Sequence, residues 1–291
     1  MYESLNRGEI IDKKKFAEDF QISAKSVQRD IDDLRAYLAE KYESSSNVTI
    51  EYDYELSGYK LVKQERDFLT NEEILVISKI LLESRGLINE ELNPIMNKLM
   101  LQATPTAREN IKELIKKEQF NYIAPKHGKL LLNKIGSLSL CIHHQEVISF
   151  DYIRMDNKAV HRTVEPLAIM FSEFYFYLIA WFSDHSKDFP AVFRIDRIDK
   201  IEKTGDKFKI PYKDKFNDGE FRKRIFFMFQ GPLNKIKFEF SGPSIEALLD
   251  KIPTAKIISR TENTYTIEAE SYGNGILMWL RTQGEWVKIL E

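Results

Sequence analysis

A single cysteine, Cys141, stands in a chain of 291 residues, which excludes an internal disulfide framework and fits a reducing compartment. Long apolar runs are missing as well. The longest, Phe174 to Phe182, is roughly half of the ~20 residues that a membrane-spanning helix needs. The first ten residues, MYESLNRGEI, have no basic-then-apolar signal. Neither sign of charge dominates: Lys+Arg number 43 and Asp+Glu 45, a formal net charge of −2. That balance excludes a uniformly basic coat of the histone kind and leaves room for a local basic patch. There is no internal repeat and no low-complexity segment. A soluble, cytoplasmic chain with no membrane partner is expected.

The motifs of several enzyme classes are also absent. Neither G-x-x-x-x-G-K-[S/T] nor G-x-G-x-x-G occurs, so nucleotide hydrolysis and dinucleotide redox chemistry have no support. Asp184-His185-Ser186 holds the letters of a hydrolytic triad, but triads assemble in space, and no G-x-S-x-G elbow is present. Cys141-x-His143-His144-x-Glu146 offers ligand-type side chains, yet on a helix Cys141 and His143 point to different sides, and no second cluster completes four ligands. No catalytic residue, metal or cofactor is expected, and the chain reads as a non-enzyme.

At 43% hydrophobic and 30% charged residues the composition is that of a folded protein, and the length suggests two to four domains. Phe16, Ala17 and Phe20 make the short apolar face of one helix. Ser23 is placed to cap a second, along which Val27, Ile31, Leu34 and Leu38 form one buried stripe. Two short helices joined by a tight turn make a helix-turn-helix. After a Ser-rich break, Ser44 to Asn47, Ile50, Tyr52 and Tyr54 alternate with acids. Ser57-Gly58 turns the chain and Tyr59-Lys60-Leu61 returns, the pattern of a hairpin wing. Helices are predicted from Thr70 (capping box with Glu73, stopped by Gly86), over Glu90–Gln102 with Pro94 near its start, from a Thr104 cap with Pro105, and over Lys129–His143.

At Val147 the period changes to short strands: 147–152, 161–165, 167–171, 175–182, 191–195 and 200–203, as in a small bent barrel. A charged, aromatic linker follows. The last segment reads strand 235–240, helix 244–251, strands 256–260 and 264–269, helix 274–282 and strand 286–290, a βαββαβ order.

The start of the second helix carries the strongest chemical signal. The apolar stripe leaves Lys25, Ser26, Gln28 and Arg29 on the far side of its first two turns. Arg and Lys suit guanine O6/N7, Gln suits adenine N6/N7, and Ser tolerates either. The alternative is an ordinary solvated face, or a helix-turn-helix used for protein contacts. From Lys13 to Arg29 the net charge is +3, but residues 1–62 carry 9 basic and 13 acidic side chains. The acids gather at Asp30, Asp32 and Asp33 and in the wing at Glu51, Asp53 and Glu55. Lys60 is the wing's cation, so the phosphate-binding surface should be narrow and non-specific affinity modest.

The segment Phe20 to Leu34 resembles the helix-turn-helix of bacterial WYL-domain transcription regulators, and Gly58-Tyr59-Lys60-Leu61 resembles the end of their wing. Phe150-Asp151-Tyr152, then Arg162-Thr-Val-Glu-Pro-Leu167, Phe176-Tyr177-Leu178 and Phe193-Arg-Ile-Asp-Arg-Ile198 are similar to the WYL domain. Leu277-Met-Trp-Leu280, Gly284 and Val287 to Leu290 are similar to its WCX extension. The name-giving Trp is Phe176 here, read as a barrel-packing aromatic.

The resemblance implies a multidomain α+β fold: a winged helix-turn-helix over 1–62, a helical connector over 63–135, an Sm-like small β-barrel over 136–208, a linker over 209–230, and a ferredoxin-like WCX domain over 231–291. It also implies a ligand surface built from Tyr152, Arg162, Tyr177, Arg194 and Arg197, with Arg154 and His161 beside them, for nucleic acid and notably single strands. Arg forks grip phosphates and aromatic faces stack unpaired bases. On a regular strand Arg194 and Arg197 would point to opposite faces, so a turn between them is required. Residues 136–208 carry 9 basic and 11 acidic side chains. The competing reading is therefore that these Arg residues pair with Asp151, Glu165, Asp196 or Asp199.

The expected protein is a homodimeric transcription regulator binding a double-stranded DNA operator through Lys25, Ser26, Gln28, Arg29 and Lys60. Two other readings stay open: a regulator sensing a small anionic metabolite or nucleotide, and a protein-interaction module that does not bind DNA. Both ends also look trimmed, since only Met1 to Leu5 precede the helix-turn-helix and the last strand stops at Glu291.

Overall fold

Side-chain caps set the helices at the front of the chain. A computed structural model describes residues 1–41, 48–63, 69–103, 105–209 and 216–290. The Ser44–Asn47 break and the Thr104 cap lie outside these residues. Behind a short α1 (Tyr2–Asn6), the Asp12 carboxylate accepts the backbone N–H groups of Lys15 and Lys14, which hold its pKa below the usual value and open α2 (Lys13–Asp19). Ser23 Oγ accepts the N–H of Ser26 at 3.0 Å and opens α3 (Ala24–Lys41). The stripe of α3 is buried at Val27, Ile31 and Leu38. It packs with Leu5, Ile11 and the inward side chains Val48 and Ile50. The last two belong to β1 (Val48–Asp53), which pairs antiparallel with β2 (Gly58–Lys63) so that Tyr52 lies opposite Tyr59.

The Thr70–Glu73 capping box opens α4 (Asn71–Ser84). Its left-handed stop is Arg85, at φ 49°, and not the expected Gly86. Gly86 serves close approach instead, because a Cβ there would lie 2.6 Å from the ring of Phe171. Two more helices follow, α5 (Asn89–Met100), with Pro94 inside it, and α6 (Pro105–Phe120).

The chain divides into two compact units, residues 1–85 with 89–124, and residues 86–88 with 125–291. In the second, α7 (Leu132–His144) leads into an antiparallel sheet of β3 (Glu146–Ile153), β4 (Ala159–Ser172), β5 (Tyr175–Phe182), β6 (Ala191–Arg194) and β7 (Ile198–Lys207). The two strands expected over 161–165 and 167–171 are one long β4. It is irregular at Pro166, where the register with β5 shifts before Ala168 and no N–H is available for the ladder.

Strand order is β6-β5-β4-β3-β7. Edge strands β6 and β7 are joined by a single 3₁₀ turn, Ile195–Arg197. A flat five-stranded sheet would hold its edges roughly 19 Å apart at about 4.8 Å per strand. Three residues in a 3₁₀ turn rise only about 6 Å. The sheet is therefore rolled so that the end of β6 and the start of β7 come together. Phe150, Val164, Leu178, Ala180, Phe193, Ile195 and Ile198 fill the inside, and Leu131, Leu138 and Cys141 pack against them from α7 and the residue before it.

The expected linker is not a passive one. It carries α8 (Asp218–Arg224), and Phe221, Ile225 and Met228 are buried with Val147, Leu167, Met170 and Ile179 of the rolled sheet. This shared core explains why contacts join the rolled sheet and the C-terminal segment in one unit. That segment runs β8 (Leu233–Phe240), α9 (Ile245–Lys251), β9 (Lys256–Arg260), β10 (Tyr265–Tyr272), α10 (Gly275–Thr282) and β11 (Val287–Ile289). Its antiparallel order is β11-β8-β10-β9, with Ile236, Phe238, Phe240, Ile267 and Ala269 facing the two helices.

The segment after α8 passes so close to the start of α10 that only glycine fits there. A Cβ at Gly275 would lie 2.0 Å from the carbonyl oxygen of Phe226. Gly275→Ala should therefore destabilise the protein by about 1–3 kcal/mol, read as a lower urea midpoint with an unchanged slope.

Candidate nucleic-acid interfaces

The first candidate surface is the N-terminal end of α3. Lys25 and Arg29 are exposed, and neither is hydrogen-bonded or ion-paired to another described residue. Ser26 is exposed with its Oγ 2.9 Å from that of Ser23. Gln28, expected beside them as a base reader, is half-buried and held. Its Oε1 accepts from Tyr59 Oη at 2.9 Å and from Lys13 Nζ at 3.2 Å, and its Nε2 donates to Asp32. Asp32 also binds Arg35, whose Nε donates to the Ile50 carbonyl at 2.8 Å.

Gln28 is thus the centre of a network tying α3 to α2 and the hairpin, and its amide is not free as the expectation required. Lys60 is likewise engaged, 2.6 Å from Asp53, which accepts the hydrogen bond and raises the lysine pKa. Asp53 in turn is held below the usual carboxylate range by that bond and by the backbone N–H of Leu56. The cations available on this face are Lys25 and Arg29.

The second candidate surface is a cleft of about 790 Å³ on the rolled sheet. Six of the seven residues expected to bind ligand line it: Tyr152, Arg154, Arg162, Tyr177, Arg194 and Arg197. His161 does not. It is exposed, with Nδ1 3.0 Å from Asp151. Lys187 brings the cationic lining side chains to five, against the single carboxylate Asp156.

The turn that the sequence required is the 3₁₀ turn. In that helix residues i and i+3 are eclipsed, so Arg194 at its cap and Arg197 at its end face the same way, while Ile195 and Ile198 point into the core.

Arg194 is bound by Asp196 through two hydrogen bonds, of 3.0 and 2.8 Å, and lies 3.4 Å over the ring of Tyr175. Burial opposes its charge, but the Asp196 bonds outweigh it and raise its pKa. Its backbone N–H donates to Tyr152 Oη at 3.3 Å. Tyr177, opposite Arg194 in the β5–β6 pairing, has its phenol pKa raised by burial and stays a neutral donor. Arg197 differs: its Nη1 is buried without any hydrogen-bond partner. Arg162 and Lys187 each lie over Phe182, at 5.7 and 5.3 Å.

The competing idea, that the arginines are consumed by internal pairs, therefore holds for Arg194, and Arg154 pairs instead with Asp156 at 3.4 Å. Asp151 pairs with Lys200 and His161, Glu165 with His185, and Asp199 with Lys129 and Lys134. The other wall of the cleft is Phe227 to Gln230, with Gln230 Oε1 accepting the N–H of Val192 at 3.2 Å. Nothing in a linker reading pointed to these four. Their signal was the aromatic run Phe226-Phe227-Met228-Phe229, too apolar for a solvated connector. Lys187 had no sequence signal.

Residues 134–203 match the WYL domain family. The chain carries a WYL domain. The cleft lies on it and on the segment 227–230 beyond it. No curated protein matches the chain. Among solved structures, proteasome accessory factor B/C (PafBC) of Arthrobacter aurescens is 17% identical, over 96% of this chain and 43% of that one, with a TM-score of 0.31. A CRISPR Cas-related protein is 13% identical, over 99% of this chain and 73% of that one, with a TM-score of 0.37. The chain thus spans less than half the length of PafBC.

Among the described residues no His, Cys, Asp and Glu cluster is arranged to hold a metal, and no helix is long and apolar enough to cross a membrane. Cys141 is buried in the core between α7 and the rolled sheet, where burial raises its thiol pKa, and Glu146 pairs with Lys203 at 2.7 Å.

Loss of the Gln28 network should be measurable. Gln28→Ala is expected to lower stability by about 1 kcal/mol, and to do so non-additively with Tyr59→Phe in urea denaturation. Additive losses would mean that the two side chains do not interact.

Proposed function

We propose that this chain is a sequence-specific DNA-binding transcription regulator, not an enzyme, whose WYL domain binds single-stranded nucleic acid. In this reading the rolled sheet is an Sm-like barrel, the C-terminal βαββαβ segment is a ferredoxin-like WCX domain, and the working form is a homodimer that places two α3 helices in adjacent major grooves. The observation that carries the ligand reading is the buried, unpartnered Nη1 of Arg197 in a cleft with five cationic side chains. A buried guanidinium nitrogen without an acceptor is costly, and an anionic oxygen from a ligand satisfies it. The cations come from β4, the end of β3, the β5–β6 loop and the 3₁₀ turn, with Phe182 between them. That spread suits a chain of phosphates and unstacked bases better than one compact anion.

Fluorescence anisotropy with a labelled oligothymidylate tests the cleft. Contact with about five phosphates predicts a log–log salt slope near −3.5. Arg197→Ala should weaken binding and reduce the slope's magnitude by about 0.7. A shallow slope with tight binding of a mononucleotide would favour a small-anion sensor instead.

For the first surface, Lys25 and Arg29 are proposed to meet the operator and Ser26 a phosphate, while Gln28 and Lys60 act by holding the helix and wing in shape. Selection from a random DNA pool followed by titration tests this. Arg29→Ala should cost about 1–3 kcal/mol and relax sequence preference at one position. A pool that yields no enriched sequence would leave a protein-interaction module as the better reading.

A further inference from the structure

One partly buried cation of the second unit has no part in the cleft and grips the turn beneath it. Lys134, on the inner side of α7, is 17% exposed. Its Nζ donates to the carbonyl of Ile198 and, at 3.4 Å, to that of Ile195, and lies 3.6 Å from Asp199. Ile195 O already accepts the N–H of Ile198 within the 3₁₀ turn. The ammonium therefore closes the carbonyl side of the turn whose other side presents Arg194 and Arg197. Short 3₁₀ turns have poor hydrogen-bond geometry and hold their shape through outside contacts. The other contacts here are the side chains of Ile195 and Ile198, sunk in the barrel core with Leu131, Leu138 and Cys141. Those side chains fix depth, whereas the two carbonyls fix rotation. Arg194 has its own anchor in Asp196. Arg197 has none at Nη1, so its direction depends on the turn.

We propose that Lys134 is the positioning residue for Arg197, an inference that rests on the cleft being an anion site. Lys134 does not touch the ligand. It acts by holding the Ile195 and Ile198 carbonyls, and the ion pair with Asp199 is secondary because that carboxylate is 47% exposed and is shared with Lys129 at 4.0 Å.

The full-length chain with a fluorescein-labelled oligothymidylate provides one test, and backbone amide exchange without ligand provides the other. Lys134→Met, which keeps the stem, should weaken strand binding about tenfold, and adding Arg197→Ala to it should cost little more. Combined with Arg162→Ala the losses should add. Lys134→Arg should recover most of the affinity, and Asp199→Asn should leave it nearly unchanged. In the ligand-free protein Lys134→Met should speed amide exchange at Ile198, with Lys134→Arg restoring it, while the melting profile stays cooperative. Additivity of Lys134→Met with Arg197→Ala overturns the inference. So does unchanged exchange at Ile198, even where the wild-type chain does not bind the strand, an outcome that separately removes the ligand reading.

Discussion

The three residues Ile195–Arg197 are the constraint on which the WYL domain depends. They join two strands at opposite edges of one sheet, so the sheet has to roll. The same 3₁₀ geometry that closes the roll also eclipses two arginines on the outer side and two isoleucines on the inner side. Closure and charge focusing are thus one event. A domain with more acids than bases overall concentrates its cations on one cleft because its carboxylates are drawn elsewhere. Asp151 and Asp199 are engaged on the β3 and β7 side, Glu146 pairs with Lys203, Asp196 is buried against Arg194, and Asp156 is the carboxylate that lines the cleft.

The N-terminal unit is organised differently. Its acids do not simply dilute a basic face. Asp32 and Asp53 hold Arg35, Gln28 and Lys60 in a hydrogen-bonded frame between helix and hairpin. That leaves few cations facing outward from α3, on a helix tied to the hairpin by hydrogen bonds. On the proposed reading this suits Lys25 and Arg29, because a side chain that must first break an internal bond loses part of the free energy of reading a base.

Much of this was legible from sequence. Period and caps placed the helices from Lys13 to Lys41 and the Thr70 start, and the change of period at Val147 marked the five-stranded sheet. Six of the seven residues expected to bind ligand line the cleft, Tyr152 and Arg162 from the strand face that carries Phe150, and Tyr177 and Arg194 from the opposite face. His161 failed because its neighbour across the strand pair is Asp151, which a linear reading could name only as a partner for arginine. Gln28 and Lys60 failed for the same reason: Tyr59 and Asp53 reach them across the hairpin or the helix–hairpin contact. The segment over 209–230 reads as a linker because charges at Lys209, Lys213 to Lys215 and along α8 mask the Phe221, Ile225, Phe226 and Met228 side chains that pack into two cores.

Because strand β7 begins where the turn ends, the turn's length matters more than its composition. A 3₁₀ helix advances about 120° per residue. One inserted residue would carry Arg197 a third of a turn away from Arg194. It would also slip β7 against β3 by one position, exchanging the inner and outer faces of that strand, with Ile198 and Ile201 moving outward. Over the course of divergence the turn is therefore free to change letters on its exposed side and closed to gaining or losing one. A gap-free stretch between Phe193 and Ile198 is the mark by which this geometry would be followed in more distant chains.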